Sequence, residues 1–229
     1  RPVPGHALPA VRVVAAASGP DEVVGEAIVL LTRAPRPGRE PRGRSDEVGV
    51  TVDQGRAALE VELGTSSARP GWAGAVDHGL AHRRAGAAVA RHRRDARATA
   101  PVVVDVPAVV PPERVGDLVL GYLLGARGQD VFSADPAPVA PELVVRVGDP
   151  DDDTVAAVTR TVAAAEEAAR ATALARDLAG APSDLKTPQW LVSRMAEVLG
   201  AAGMQTEILR GEALEAEGFG GVLAVGGGS

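Results

Sequence analysis

The sequence predicts an α/β fold. Short β-branched runs of strand length alternate with alanine-rich stretches of helix length along most of its 229 residues. Hydrophobic residues make up 45% and charged residues 24%, a balance that permits a sizeable buried core. One apolar stripe recurs at helical spacing from Val155 to Leu178, too long for a strand and well patterned for a helix.

Taken in order, residues 11–16 and 27–31 are apolar runs of strand length. Residues 33–46 hold five Arg and three Pro with almost nothing apolar, which predicts a mobile loop. Residues 48–52 alternate like a strand, and the alanine-rich stretch 75–98 predicts a helix. Residues 102–106 are β-branched and lie between Pro101 and Pro107, the pattern of a buried strand. A helix is expected over 112–125, because Pro112 is tolerated in a first turn, and a strand over 143–147.

The stripe Val155, Val158, Val162, Ala165, Ala169, Leu174 and Leu178 then defines one face of a helix over 154–179. At roughly 1.5 Å per residue it would be about 39 Å long, the reach of a rod joining two domains. Asp151, Asp152 and Asp153 stand where a cap and the positive end of the helix dipole favour acids. After a break at 180–186, Thr187 caps a second helix with Pro188 in its first turn. Its apolar face is Leu191, Met195, Val198, Leu199 and Ala202, and Gly200 and Gly203 mark its end. A strand at 206–209, a helix at 212–217 and a strand at 222–225 follow, the opening of a mostly parallel sheet.

Composition narrows the function classes. There is no cysteine, which excludes disulfides, thiolate metal sites and a cysteine nucleophile. No apolar run approaches the roughly 20 residues of a membrane span, and the proline-rich start makes a poor signal peptide. Lys186 stands alone against 23 Arg, a bias of coding that discounts arginine-rich stretches as signals. Residues 1–150 balance 18 Arg with 18 Asp and Glu, whereas 151–229 carry the whole net charge of −6, which suggests a boundary near 150. The chain opens at Arg1 without methionine and closes on a strand-like run, so both ends read as cut.

No complete catalytic or metal-binding set can be assembled from these residues, so the chain alone is expected to catalyse nothing. His78 and His82 share the spacing of a zinc pair, but Gly79 replaces the neighbouring glutamate and no third ligand lies near, which favours a structural pair. Arg83, Arg84, Arg91, Arg93, Arg94 and Arg97 cover about half of the 75–98 helix, with Ala81, Ala85, Ala88, Val89, His92 and Ala96 opposite. A solvated face is the plainer reading. Arg83, Arg84, Arg91, Arg94 and Arg97 are retained as candidate anion or nucleic-acid contacts, although no aromatic residue interleaves for stacking. Asp151–Asp153 lack the spacing of a calcium loop and read as a cap. Gly226, Gly227 and Gly228 lack a Walker lysine and read as a tight turn. Ser183 and Ser193 have no histidine–acid partners in view.

The segment Ala175-Arg176-Asp177-Leu178 followed by a polar turn ending in Thr187-Pro188 resembles the start of the catalytic domain in the leucyl aminopeptidase (cytosol aminopeptidase) family. The later stretches Gly218-Phe219-Gly220-Gly221 and Leu223-Ala224-Val225-Gly226-Gly227-Gly228-Ser229 look like that family's acidic helix end and its Leu-Ala-Val-Gly-x-Gly-Ser motif. Gly121-Tyr122-Leu123-Leu124-Gly125 with Phe132-Ser133, and the stretch Arg84 to Arg91, resemble its amino-terminal domain more loosely. Gly180 departs from the asparagine most members carry before the turn, which leaves the turn without a side-chain bond to its own backbone.

The resemblance implies a macro-like α/β domain at 1–150, a linker helix at 151–179, and the first helix–strand units of an incomplete catalytic domain at 180–229. It implies a cytoplasmic, hexameric exopeptidase that removes amino-terminal residues from peptides, using two divalent ions, manganese or zinc. In the family the metal-binding lysine, aspartates and glutamate, and the catalytic lysine and arginine, lie downstream of the Leu-Ala-Val-Gly-x-Gly-Ser motif. No residue of this chain takes up those roles, and no metal is expected on this portion. The other reading is a non-catalytic interaction or nucleic-acid-binding module built on the helix carrying Arg83 to Arg97.

Overall fold

A computed structural model describes residues 8–15, 27–32, 48–53, 56–62, 78–106, 110–128, 132–135, 138–148 and 151–227. The chain divides into two compact units, Arg1–Gly180 and Ala181–Ser229.

The first unit is built on one six-stranded sheet. Its strands are β1 (Val11–Ala15), β2 (Ala27–Thr32), β3 (Val48–Asp53), β4 (Arg56–Glu62), β5 (Val102–Val106) and β6 (Leu143–Val147). Their spatial order is β1-β6-β5-β2-β4-β3, parallel throughout except for the antiparallel edge strand β3. Three helices accompany them: α1 (His78–Asp95), α2 (Pro112–Gly125) and α3 (Asp152–Gly180). The chain is therefore a mixed α/β protein, as the alternation of runs predicts. The predicted 33–46 loop lies outside the described residues.

β4 is not among the strands that the sequence predicts. Its run of seven, RAALEVE, is of strand length but breaks the apolar alternation at Ala58. The ladder sets Asp53 opposite Arg56 at one end and Val48 opposite Val61 at the other, so β4 pairs with β3 along its length.

The core lies between the sheet and the helices. Val102, Val104 and Val106 of β5 and Leu143, Val145 and Val147 of β6 point to one face, as the period of two demands. They meet Ala85 and Val89 of α1, Val119, Tyr122 and Leu123 of α2, and Val158, Val162, Ala165 and Ala169 of α3. Small residues let α1 and α2 approach backbone to backbone. A Cβ added at Gly121 would fall 1.9 Å from the Arg83 carbonyl oxygen, and one at Gly86 would fall 2.0 Å from that of Leu118. Tyr122 is fully buried, and its hydroxyl donates to the Pro141 carbonyl at 2.9 Å.

The acidic triplet before α3 works as a cap. The Thr154 backbone N–H donates to Asp151 at 2.7 Å, while Asp152 and Asp153 occupy the first turn. Hydrogen bonds from Thr154, its side chain first and its backbone second, hold the Asp151 carboxyl below the usual carboxylate range. Farther along, the buried stripe follows Ala173 and Asp177 instead of the predicted Leu174 and Leu178, which are half-buried beside it. Steps of four from Ala165 keep the face toward α2 and place a carboxylate on an apolar stripe.

The second unit contains α4 (Pro188–Ala201), α5 (Glu212–Ala216) and α6 (Gly220–Gly226). Thr187 caps α4 as predicted, its hydroxyl accepting from the Trp190 backbone N–H at 3.2 Å. Gly203 ends that helix at φ +76°, where its missing Cβ removes the left-handed penalty. Gly200 lies inside the helix instead of marking its end. The two predicted strands of this unit are corrected by the structure. Residues 206–209 form no regular element, and 222–225 fall within α6. A strand needs a neighbour for its backbone ladder, and none is present among the described residues of this unit, whereas a helix satisfies its own N–H and C=O groups.

Candidate functional site

Two residues of the segment that carries the sequence resemblance, Arg176 and Asp177, tie the end of α3 to residues at and just beyond the end of α2. Arg176 near the end of α3 donates from Nη1 to the Leu124 carbonyl at 3.2 Å, close to the C-terminus of α2. Asp177 beside it receives both guanidinium arms of Arg127, one at 3.0 Å. The side chains of this pair are only 11% and 2% exposed, so the bond is a buried, bidentate ion pair. A shallow cleft next to it is lined by Leu8, Leu123, Leu124, Arg127, Ala173 and Arg176. The Arg127–Asp177 pair is not among the sites predicted from sequence. Its one signal is an aspartate four residues after Ala173 on an otherwise apolar face.

Beyond the pair the chain leaves α3 at Gly180, which has helical backbone and no neighbour within 4 Å of an added Cβ. Pro182 opens the turn, its carbonyl accepting from the backbone of Leu185 at 3.1 Å and of Lys186 at 3.0 Å. The turn thus holds itself through main-chain bonds, without the side-chain bond an asparagine would add. Ser183 is exposed here, and the Ser193 hydroxyl is occupied by the Gln189 carbonyl at 2.9 Å.

The arginine face of α1 divides. Arg83 pairs with Asp117 at 3.3 Å, and Asp117 also pairs with Arg114 at 3.1 Å. Arg94 bonds Asp95 at 3.1 Å and reaches the Gly125 carbonyl at 3.4 Å. Arg93 lies half-buried beside Tyr122. Arg84, Arg91 and Arg97 are exposed. Arg97 follows the helix at φ +52°, the only described non-glycine residue in the left-handed region. His82 is buried against the core at 7% exposure. His78 opens α1, and its side chain lies outside the described residues. Among the described residues, no three histidine, aspartate or glutamate side chains stand close enough to hold a metal ion.

Comparison with known proteins decides the family. The sequence model for "Cytosol aminopeptidase family, catalytic domain" matches residues 173–229, the stretch that begins beside the Arg127–Asp177 pair. The chain is 29% identical over 91% of its length to a probable cytosol aminopeptidase of Geobacter sulfurreducens, and 34% identical over 68% of its length to one of Syntrophotalea carbinolica. This chain belongs to the cytosol aminopeptidase family.

It spans 41% and 31% of those two relatives. Solved structures agree on the fold. The bottromycin maturation enzyme BotP superposes with a TM-score of 0.62 at 24% identity, covering 84% of this chain and 41% of that one. A mutant tomato leucine aminopeptidase gives 0.68 at 15% identity, covering 92% of this chain and 46% of the other. Within the family frame, the Gly121–Gly125 stretch that resembles the amino-terminal domain is the stretch where α2 meets α1 backbone to backbone.

Proposed function

We propose that this chain is the front portion of a two-metal aminopeptidase that releases amino-terminal residues from peptides. In this reading residues 1–150 form the macro-like domain, 151–179 the helix leading out of it, and 180–229 the start of the catalytic domain. The observation that carries the proposal is the family match over 173–229. The divalent ions, manganese or zinc, would polarise the scissile carbonyl and supply a hydroxide. The described side chains do not fit such a site, since no three candidate ligands converge, and no catalytic step is assigned to them. The role left to this portion is to support the catalytic domain and its assembly, as a homohexamer by family resemblance. The names of the relatives support a cytosolic location, and no helix among the described residues is long and apolar enough to cross a membrane.

The test is hydrolysis of leucine p-nitroanilide with added manganese or zinc, comparing this chain with the protein extended through its downstream reading frame. Activity in the extended protein alone supports the proposal. Activity in the 229-residue chain refutes the division of roles and turns attention to His78 and His82. A second reading, anion or nucleic-acid binding, is favoured by the exposure of Arg84, Arg91 and Arg97. Phosphate neutralisation makes affinity fall steeply with salt, so salt-independent or absent binding to duplex DNA removes it.

A further inference from the structure

The first unit holds a cavity that the family reading does not use. Leu8, Pro9 and Ala10, which lead into β1, line a space of about 210 Å³ together with Leu123 of α2 and Glu166 and Arg170 of α3. Its wall is apolar, with Leu8 and Pro9 half-buried and Leu123 buried. Its charged part is Glu166 and Arg170, one helical turn apart on α3. Pockets for drug-sized ligands measure about 300–1,000 Å³, so this one suits a smaller molecule.

The two charges are not spent on each other. Glutamate four residues before arginine is the favourable order for an ion pair along a helix. Arg170 instead donates from Nη2 to Glu167, whose side chain is 76% exposed. Glu166 is half-buried, and among the described residues its carboxylate has no hydrogen-bonding partner. A carboxylate partly removed from water costs free energy unless a donor reaches it. The Arg170 guanidinium carries five N–H donors, of which Glu167 takes one. An acceptor for a cation and donors for an anion therefore stand side by side against an apolar wall.

We propose that this cavity binds a free α-amino acid with an apolar side chain, its ammonium on Glu166, its carboxylate on Arg170 and its side chain against Leu8, Pro9 and Leu123. Charge complementarity selects that occupant. Side chains four apart on a helix have Cβ atoms about 5–6 Å apart, and the two charges of an α-amino acid share one carbon, so one small molecule reaches both. A peptide sets its terminal charges farther apart by about 3.3–3.6 Å for each added residue. A simple carboxylate leaves Glu166 without a donor, and a simple amine brings no anion to Arg170. Binding here is independent of any peptidase activity of the longer protein.

The experiment titrates this chain with L-leucine in a calorimeter. One saturable site per chain is expected. Isocaproate, which lacks the amine, and isoamylamine, which lacks the carboxylate, should each bind at least about tenfold more weakly. Glu166→Gln and Arg170→Met should each weaken leucine by at least about tenfold, while Arg160→Met, exposed on the same helix outside the cavity, should bind as the parent does. The Arg170 side chain is 52% exposed and glutamine keeps the shape of Glu166, so neither substitution empties a core, and far-UV circular dichroism checks the fold of each variant. No saturable binding at millimolar leucine overturns the proposal. So does isocaproate or isoamylamine binding as tightly as leucine, or unchanged leucine affinity in either cavity variant, which places the amino acid elsewhere on the chain.

Discussion

Gly121→Ala tests the contact on which the first unit is organised. An ideal Cβ at this position stands 1.9 Å from the Arg83 carbonyl oxygen and 2.6 Å from its carbon. The obstacle is backbone, so no side-chain rotation relieves it. α1 and α2 must separate by about 1 Å, and a gap of that size forfeits roughly a quarter to a half of each dispersion contact across the interface. Overpacking of a filled core costs about 1–3 kcal/mol, and this backbone clash belongs at the upper end. Helix propensity acts oppositely, since alanine is favoured over glycine by about 1 kcal/mol inside a helix. The expected net loss is about 2 kcal/mol. Urea unfolding followed by far-UV circular dichroism measures it as a lower midpoint at unchanged slope. Gly200→Ala in α4 is the control, because nothing lies within 4 Å of its added Cβ and propensity alone should act. A Gly121→Ala protein as stable as the parent, or more so, would refute the close approach of the two helices.

Other outcomes follow from the same geometry. Burial raises the Tyr122 phenol above its ordinary value of 10.0 despite the opposing field of Arg93, so its ultraviolet titration should wait for unfolding. It is the sole tyrosine, which makes that signal unambiguous. Because the folded pKa is raised, the associated stability is present below about pH 10 and is lost as pH rises above it, where only the unfolded chain has released the proton. Tyr122→Phe should abolish this alkaline loss and cost about 1–2 kcal/mol by leaving the Pro141 carbonyl unpaired. Removing one member of the buried pair, as Arg127→Met or Asp177→Leu, should cost about 3–5 kcal/mol, and the double substitution should cost less than either, as read by a thermal double-mutant cycle. Arg97→Gly should raise the thermal midpoint through a gain of roughly 1 kcal/mol, because glycine carries no Cβ penalty at φ +52°.

How far the sequence was legible depended on where each element found its partners. β5 over 102–106, α2 over 112–125 and β6 over 143–147 match their predicted bounds, since proline boundaries and short runs rich in β-branched residues or leucine are local signals. The caps at Asp151 and Thr187 were equally readable, because a cap joins residues three apart in the chain. The candidate site was legible only in part. The motif through Asp177 pointed to the family, but the partner of Asp177 lies 50 residues away, and no spacing rule couples it to Arg127. The same holds for Arg83 and Arg94, which composition alone leaves on a uniform basic face and which the fold engages with Asp117 and Gly125.

The sequence by itself determined the α/β class, the helix caps and the family, since each is written in short-range pattern. Only the tertiary structure decided the strand order, the backbone contact of α1 with α2 and the burial of Asp177, which depend on approach between distant segments. It also decided that 222–225 coil into α6. Strand-forming residues become a strand only where another strand offers its hydrogen bonds, and the described residues of Ala181–Ser229 offer none.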